Sequence, residues 1–180
     1  MLRVIKSFFI LFLCMVFVYA GYGFVYGNFH KIDKNVYRSA QLFSFNMPYY
    51  IEKYHVVTIL NLRGEKPKQT WFQYEQKVTK LYHIKHISHK ISARKYLDFN
   101  QTSTLVNILK KAKKPLLIHC EGGADRTSLV SALYRYAVLH QSKEEALKEL
   151  QWFYGHLPWL RPQVIAMEKS FENYVQKSKQ

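Results

Sequence analysis

The chain has 180 residues, of which 48% are apolar, so it is long enough for one compact domain and too short for two substantial ones. It contains no repeat or low-complexity tract, which together with the apolar content excludes a wholly disordered chain. Twenty-seven Lys and Arg against twelve Asp and Glu give a net charge of +15, which favours anionic partners. The sequence contains no nucleic-acid-binding module, so we expect phosphorylated molecules or lipid headgroups rather than nucleic acid.

Residues 1–27 form the first predicted unit. An apolar run extends from Phe8 to Ala20, and no formal charge lies between Lys6 and Lys31. Such a segment is typical of a membrane anchor or a cleaved signal peptide, and we favour an uncleaved helix. A buried core helix is the alternative. The positive-inside rule predicts that residues 28–180, the folded domain, lie outside the cytoplasm, anchored to the membrane or exported.

The folded domain contains a single cysteine. Cys14 lies inside the apolar run, and only Cys120 follows it. A lone thiol excludes both an intramolecular disulfide and a zinc site built from cysteines. Cys120 is therefore available for chemistry.

Strands alternate with helices along residues 28–180, which predicts an α/β fold with a central, largely parallel twisted sheet of four to five strands flanked by helices. The β-branched runs and the apolar spacing predict a hairpin at 28–38, strands at 55–62, 83–88 and 116–118, and helices at 69–81, 100–111, 126–140, 142–154 and 162–176. On the 69–81 helix we expect one buried face, formed by Trp71, Tyr74, Val78 and Leu81.

The third buried strand runs directly into the cysteine loop, His119-Cys120-Glu121-Gly122-Gly123-Ala124-Asp125-Arg126-Thr127, and a helix follows. Backbone N–H groups at a helix N-terminus bind anions, and the two glycines let the chain curl around a phosphate, so residues 121–126 form the predicted phosphate-binding loop. The same N–H groups stabilise a thiolate, which makes Cys120 the predicted nucleophile. Arg126 supplies a planar fork for two phosphate oxygens.

The motif His-Cys-x5-Arg-Thr resembles the signature of the protein tyrosine and dual-specificity phosphatase superfamily. Three further segments occur in the order found in bacterial members, so the resemblance spans roughly residues 28–155: Tyr37-Arg38-Ser39-Ala40-Gln41, Ile59-Leu60-Asn61-Leu62-Arg63 and Glu144-Glu145-Ala146-Leu147-Lys148-Glu149. It implies a protein tyrosine phosphatase-like fold and hydrolysis of phosphate monoesters through a cysteinyl-phosphate, with no metal or other cofactor. For a bacterial protein, the location predicted from the N-terminal segment is the periplasm or the medium.

The resemblance leaves the general acid open. Family members usually carry an Asp well before the cysteine, near Ser88 and His89 here, but no carboxylate is found there. Asp125 lies inside the loop and matches the Asp-Arg-Thr ending of the lipid-phosphatase branch, so we prefer it as the proton donor. Asp98 is the alternative general acid, and a helix cap is the non-catalytic alternative for Asp125.

The resemblance further implies that Thr127 hydrogen-bonds the thiolate and that His119 orients the loop from behind. Arg63 ends a strand on the same edge and either steers phosphate or forms a structural ion pair. Ser128 replaces a common Gly, and we expect Tyr37, Arg38 and Gln41 to be structural. Three functions remain open: a protein tyrosine or dual-specificity phosphatase, a phosphoinositide or inositol phosphate phosphatase, and a phosphate-binding module without turnover.

Overall fold

The computed structural model describes residues 6, 7, 9–11, 15, 21 and 25–179. The strands are β1 (His30–Asp33), β2 (Val36–Ser39), β3 (Thr58–Asn61), β4 (Lys85–Ser88) and β5 (Leu116–His119). The helices are α1 (Met47–Tyr54), α2 (Thr70–Leu81), α3 (Phe99–Lys111), α4 (Asp125–Ala137), α5 (Lys143–Leu147) and α6 (Ile165–Lys177), with 3-10 turns at Trp152–Tyr154 and Pro162–Val164.

The five strands form one sheet in the order β1-β2-β5-β3-β4. Only β1 is antiparallel to its neighbour, and β2, β5, β3 and β4 run parallel. The carboxyl ends of these four strands therefore meet on one edge of the sheet, the carboxyl edge, defined by Ser39, His119, Asn61 and Ser88. The predicted α/β class with a largely parallel sheet is confirmed.

The two faces of the sheet are buried by different helices, because successive side chains of a strand point to opposite faces. Leu116, Ile118 and Cys120 pack with residues of α3, α4 and α6 in the larger core cluster. Leu117 lies in the smaller cluster, which α1 and α2 cover. This alternation assigns Cys120 and His119 to opposite faces of the sheet.

The predicted buried face of α2 is wrong in part. Leu81 is 69% exposed at the end of the helix, whereas Phe72, Glu75, Val78 and Thr79 are buried. The helix turns a carboxylate inward because Glu75 has two histidine partners, His86 at 2.7 Å and the buried His119 at 3.2 Å. A search for apolar residues alone does not detect such a face.

The predicted 142–154 helix is also wrong in its length, since α5 ends at Leu147. Its start is as expected, with the Ser142 hydroxyl accepting a hydrogen bond from the Glu145 N–H at 3.2 Å. Beyond Leu147 the chain turns, and Glu149 is buried against two arginines. These buried ion pairs compete with continuation of the helix.

The N-terminal anchor or signal peptide predicted over residues 1–27 falls mostly outside the described residues. Within the part of the chain that is described, no helix combines the length and apolar character needed to cross a bilayer.

Candidate active site

Cys120 lies at the carboxyl edge, immediately after the central strand β5. It is 2% exposed, and the apolar cluster around it includes Leu62, Ile118 and Leu129. The carbonyl of the preceding His119 accepts a hydrogen bond of 2.9 Å from the Leu62 N–H, which extends the β3–β5 ladder to the start of the loop. The thiol is therefore held at the base of the cysteine loop by the central strand of the sheet.

Gly123 makes the sharp turn of the loop. Its φ of +66° is in the left-handed region, and a Cβ at this position would lie 2.5 Å from the Ala40 nitrogen and 2.7 Å from the Ser39 carbonyl carbon. By contrast, a Cβ on Gly122 would meet nothing within 4 Å. Of the two loop glycines, Gly123 alone is required by both its backbone conformation and the lack of space for a Cβ.

Three successive carbonyls of the loop are bound from outside it. The Glu121 carbonyl accepts from the Gln41 N–H at 3.0 Å, the Gly122 carbonyl from Asn28 Nδ2 at 3.1 Å, and the Gly123 carbonyl from Arg38 Nη2 at 2.8 Å. In a trans peptide the N–H of the next residue points opposite to the carbonyl. The N–H groups of residues 122–124 therefore point to the interior of the loop.

The N-terminus of α4 continues this arrangement. The helix begins at Asp125, and its N-cap residue Ala124 makes no side-chain capping bond. The first N–H groups of a helix have no intrahelical acceptor, so in this loop they remain available to an anion. Backbone geometry alone thus directs these N–H groups to the interior of the loop that follows Cys120, an arrangement that favours anions.

Arg38 supports the loop from behind and is completely buried. Its guanidinium contacts Glu149 Oε2 at 2.5 Å, donates to Ser128 Oγ at 2.7 Å, and lies 3.8 Å from the centre of the Tyr154 ring. Burial lowers the pKa of Arg38, and the charge of Glu149 opposes that effect. Ser128, the residue that departs from the family pattern, is therefore an acceptor for this arginine.

Two further arginines lie at the mouth of the loop. Arg126 Nη1 is 3.5 Å from the Leu62 carbonyl, and its Nη2 is 3.8 Å from Glu121 Oε2. The guanidinium of Arg63 stacks 3.7 Å above the Trp71 ring and contacts Glu121 Oε1 at 3.4 Å. Burial lowers the pKa of Arg63, Glu121 raises it, and the charge of Arg126 lowers it further. Two cationic groups therefore lie close enough to interact beside the cysteine loop.

His119 belongs to a buried network on the other face of the sheet. Its Nε2 lies 3.2 Å from Glu75 Oε2 without hydrogen-bond alignment, and Glu75 also binds His86 Nε2 at 2.7 Å and Gln41 Nε2 at 2.7 Å. Burial by itself raises the pKa of Glu75, but His119, His86 and Gln41 together hold it well below its ordinary value. Gln41 Oε1 accepts from Arg63 Nη1 at 2.9 Å, which joins this network to the mouth of the loop.

Asp125 lies at the first position of α4 and is 7% exposed. Its Oδ1 is 2.8 Å from His156 Nδ1, and its Oδ2 is 3.2 Å from Arg161 Nη1. His156 is buried, and its other ring nitrogen lies 3.2 Å from Glu168 Oε1. Asp125 is therefore part of a polar cluster that joins the loop to the segment 155–168.

A comparison with protein-family models finds that residues 25–170 match the tyrosine phosphatase family. The chain belongs to this family. It is a cysteine-dependent phosphatase with a protein tyrosine phosphatase-like fold, as the sequence predicted. No curated protein sequence matches it.

Solved structures similar to this tyrosine phosphatase family member support the fold. TpbA of P. aeruginosa has 20% identity and a TM-score of 0.59 over 84% of this chain and 91% of that one. The catalytic core of the PP-IP phosphatase SIW14 from S. cerevisiae has 22% identity and a TM-score of 0.62 over 84% and 93%. PTPMT1 in complex with PI(5)P has 14% identity and a TM-score of 0.56 over 83% and 98%.

Asp98, the alternative general acid of this phosphatase, is hydrogen-bonded to Gln101. It is the exposed N-cap of α3, where its Oδ1 accepts from the Gln101 N–H at 2.8 Å and the Gln101 side chain bonds back to the Asp98 N–H at 3.0 Å. This reciprocal capping box fixes the start of the helix. Asp98 thus has a structural role, as the N-cap of α3, that does not require any part in catalysis.

Thr127 is fully buried, and its hydroxyl has no hydrogen-bond partner among the described residues. The expected bond from Thr127 to the Cys120 thiol is therefore not formed in this structure. The position of Thr127 in the first turn of α4 is as the sequence predicted.

Four residues at the site were missed by sequence reasoning: Asn28, Glu75, His156 and Arg161. Asn28 contacts the loop across 94 positions of sequence, and no local pattern marks it. Glu75 did carry a signal, since it is an acidic residue on a helix face otherwise formed by apolar side chains. His156 and Arg161 follow the predicted 142–154 helix, which ends early, at Leu147.

Proposed function

We propose that this phosphatase hydrolyses phosphate monoesters in two steps, with Cys120 as the nucleophile. The thiolate attacks phosphorus, the bond from phosphorus to the leaving oxygen breaks, and that oxygen takes a proton from a general acid. Water then attacks the cysteinyl-phosphate, gives its proton to the same acid, and releases inorganic phosphate with return of the thiolate. The proposal is supported above all by the three outward carbonyls at 121–123, because they direct the next N–H groups to the space above the sulfur.

The electrostatic part of the reaction falls to the loop and to Arg126. The backbone of residues 121–126 binds the phosphate oxygens, and the guanidinium of Arg126 replaces its weak contacts with Leu62 and Glu121 by a bidentate contact with phosphate. The Thr127 hydroxyl, which has no partner among the described residues, turns to hydrogen-bond the thiolate when the thiolate leaves in the second step. His119 and Arg63 are supporting residues, which Glu75 and Gln41 hold in position.

Asp125 is the proposed general acid. It lies next to Arg126 within the loop itself, and its partner His156 gives it a route for proton exchange. Asp98 is less suitable because its carboxylate is engaged in capping α3. Asp125 has to exchange its contact with Arg161 for one with the leaving oxygen when the substrate binds.

For the substrate we propose phosphorylated protein, as a tyrosine or dual-specificity phosphatase. A structural relative, a variant of TpbA with serine in place of a cysteine, is described in complex with pTyr. Phosphoinositides or inositol phosphates are the second candidate, favoured by the charge of the folded part: residues 28–180 keep 25 of the 27 basic residues and all 12 acidic ones, a net charge of +13. PTPMT1, described with PI(5)P, is the matching relative.

We also propose that residues 1–27 anchor the chain in a membrane or direct its export, and that residues 28–180 act outside the cytoplasm, in a bacterial periplasm or secreted. The apolar run from Phe8 to Ala20 supports this proposal. Protease accessibility of the folded domain in spheroplasts, from which the outer membrane has been removed while the inner membrane stays intact, is compared with that in lysed spheroplasts and tests the location. A domain that is cleaved only after lysis would contradict it.

The full chain in mild detergent tests the reaction. We expect metal-independent release of phosphate from an aryl phosphate in the presence of EDTA, and loss of this activity in Cys120→Ser. Activity that survives in Cys120→Ser would overturn the role of the thiol, and phosphate binding without turnover by the wild type would indicate a binding module. A panel of tyrosine phosphopeptides and phosphoinositides, ranked by kcat/KM, then decides between the substrate classes.

A further inference from the structure

One side of the carboxyl edge carries a band of exposed apolar side chains. The 151–161 segment exposes Trp152 by 62%, Trp159 by 65% and Leu160 by 69%. This segment borders the cysteine loop, since Asn28 Nδ2 bonds both the Gly122 carbonyl and the Tyr154 carbonyl. Large apolar side chains that cluster on a surface mark a contact with another molecule.

The opposite side of the same edge is basic. The segments that follow β3 and β4, residues 62–69 and 89–98, expose five cationic side chains, Lys66, Lys68, Lys90, Arg94 and Lys95. They contain only two acidic residues, Glu65 and Asp98. In the strand order, β3 and β4 lie on one side of β5, and these basic segments follow them. The apolar band lies on the other side, where it packs against β1 and the Phe153 ring is 5.3 Å from the His30 ring. The cysteine loop therefore lies between an apolar band and a basic band.

The N-terminal apolar run leads to this same edge. The chain enters the fold where the Tyr26 carbonyl accepts from the Tyr50 hydroxyl and the Gly27 carbonyl accepts from the Ala40 N–H, next to the end of β2. Gly27 comes seven positions after Ala20, the end of the run. Fully extended, this stretch spans at most about 25 Å, so whatever holds the run also holds the carboxyl edge close by.

We propose that the carboxyl edge docks on an anionic phospholipid bilayer, with the apolar band at the level of the headgroups. Tryptophan is stable at this level, where its ring is in apolar surroundings and its N–H remains solvated, and lysine and arginine are attracted to anionic headgroups. A bilayer fits both bands and the apolar run at once. The proposal rests on the proposed function only in identifying this edge as the one where the reaction occurs.

Docking would orient the mouth of the cysteine loop toward the membrane surface. Phosphate groups at that surface would then reach Cys120 without the domain having to detach. The amino edge of the sheet, where Leu81 and Lys113 lie, would face solvent.

Bromolipid quenching of tryptophan fluorescence tests the docking. The full chain, which has three tryptophans, is reconstituted in vesicles of phosphatidylcholine and phosphatidylglycerol with brominated acyl chains. Two variants keep only Trp152 or only Trp159, with the other tryptophans changed to Phe. The matched control carries its only tryptophan through Leu81→Trp, at a position that is 69% exposed like Leu160.

We expect quenching of Trp152 and Trp159 to be roughly threefold or more stronger than at position 81, since side chains of interfacial segments lie within the headgroup and acyl boundary. The double variant Lys66→Glu/Lys68→Glu should weaken the quenching of Trp152 and Trp159. The double variant Lys110→Glu/Lys113→Glu, on the amino edge, should leave that quenching unchanged. Equal quenching at 152, 159 and 81 would overturn the proposal. Blue-shifted emission without quenching would also overturn it, because a protein segment would then cover the band.

This experiment distinguishes a failure of the docking proposal from a failure of the proposed reaction. Aryl phosphate hydrolysis by the wild-type chain, which keeps Trp71 against Arg63, is measured after transfer from the same vesicles to detergent and reports the reaction alone. Retained hydrolysis without quenching would refute docking only, and quenching without hydrolysis would refute the proposed reaction only.

Discussion

Asp125 and His156 are hydrogen-bonded side chains, with 2.8 Å between Oδ1 and Nδ1, and the second ring nitrogen of His156 lies 3.2 Å from Glu168 Oε1. Both ring nitrogens of His156 therefore face carboxylate oxygens. Each nitrogen of an imidazole can bind or release a proton, so the ring links Asp125, at the start of α4, to a second carboxylate.

If Asp125 is the general acid, Asp125→Asn should lower kcat on a tyrosine phosphopeptide by about 10²–10⁴-fold and flatten the alkaline limb of the pH–rate profile. The loss should be smaller on an aryl phosphate with a readily departing phenolate, which needs less protonation. Steady-state kinetics across pH with both substrates measure this difference. Asp98→Asn is the control, since Asn keeps the N-cap of α3 and the profile should stay unchanged.

His156→Gln separates positioning from proton exchange in the same cluster. Gln can still bond to Asp125 but cannot carry a proton between Asp125 and Glu168, so we expect kcat to fall and the alkaline limb to shift, with KM nearly constant. An unchanged profile in His156→Gln would show that the histidine only packs. A flattened limb in Asp98→Asn instead of Asp125→Asn would assign the acid to Asp98.

The buried arginine behind the loop gives a prediction about stability. Arg38→Met leaves Glu149 without its closest partner and frees the Gly123 carbonyl, so we expect a loss of about 3 kcal/mol or more in the free energy of unfolding. That corresponds to roughly 6–12 °C in Tm for a chain of this length. Thermal unfolding followed by circular dichroism measures it.

The matched control for Arg38 is the exposed pair of Lys148 and Glu145, which has the same 2.5 Å separation. Lys148→Ala should change the free energy of unfolding by at most about 0.5 kcal/mol, because water screens an exposed pair. Similar losses in the free energy of unfolding for Arg38→Met and Lys148→Ala would contradict the view that burial determines how much an ion pair stabilises the fold.

The strands and helices were largely predictable because their signals are local. Strand β5 and the start of α4 lie within one residue of the positions that β-branched and apolar spacing predicts. The placement of Cys120 at a strand end followed from the same pattern. The predicted buried face of α2 was wrong where a polar residue, Glu75, points inward. Amphipathic spacing detects only apolar residues on a buried face.

The supporting contacts of the loop could not be predicted from the sequence. Arg38 meets Gly123 across 85 positions, and Asp125 meets His156 across 31 positions. Such pairs depend on how the crossovers place distant segments at the same edge. The family signature marked Arg38 as part of a motif, but only the structure shows that it binds the loop carbonyl.

The two loop glycines should respond differently to alanine. Gly123→Ala places a Cβ 2.5 Å from the Ala40 nitrogen at a φ of +66°, so the loop and the end of β2 have to separate. We expect a lower Tm by several degrees and loss of aryl phosphate hydrolysis. Gly122→Ala, with open space around its Cβ, should retain the wild-type Tm. Equal Tm values for the two variants would refute the steric argument.

Glu75 should make stability depend on pH. Burial raises its pKa, but His119, His86 and Gln41 lower it further than burial raises it, so the folded-state pKa is below the ordinary value of 4.5. A group with a depressed pKa stabilises the fold above its unfolded value, and this contribution is lost as the pH falls through the folded value.

Glu75→Gln should therefore cost about 1.5–3 kcal/mol at pH 7, because it removes the charged acceptor to which His86 and Gln41 are hydrogen-bonded. The difference in Tm between wild type and Glu75→Gln should narrow as the pH falls below the ordinary carboxyl value of 4.5. Calorimetry from pH 7 downward measures this difference in Tm. The control is Glu172→Gln at an exposed position, whose Tm should stay close to that of the wild type at every pH. A difference for Glu75→Gln that stays constant on acidification would mean that packing, rather than the carboxylate charge, accounts for the loss.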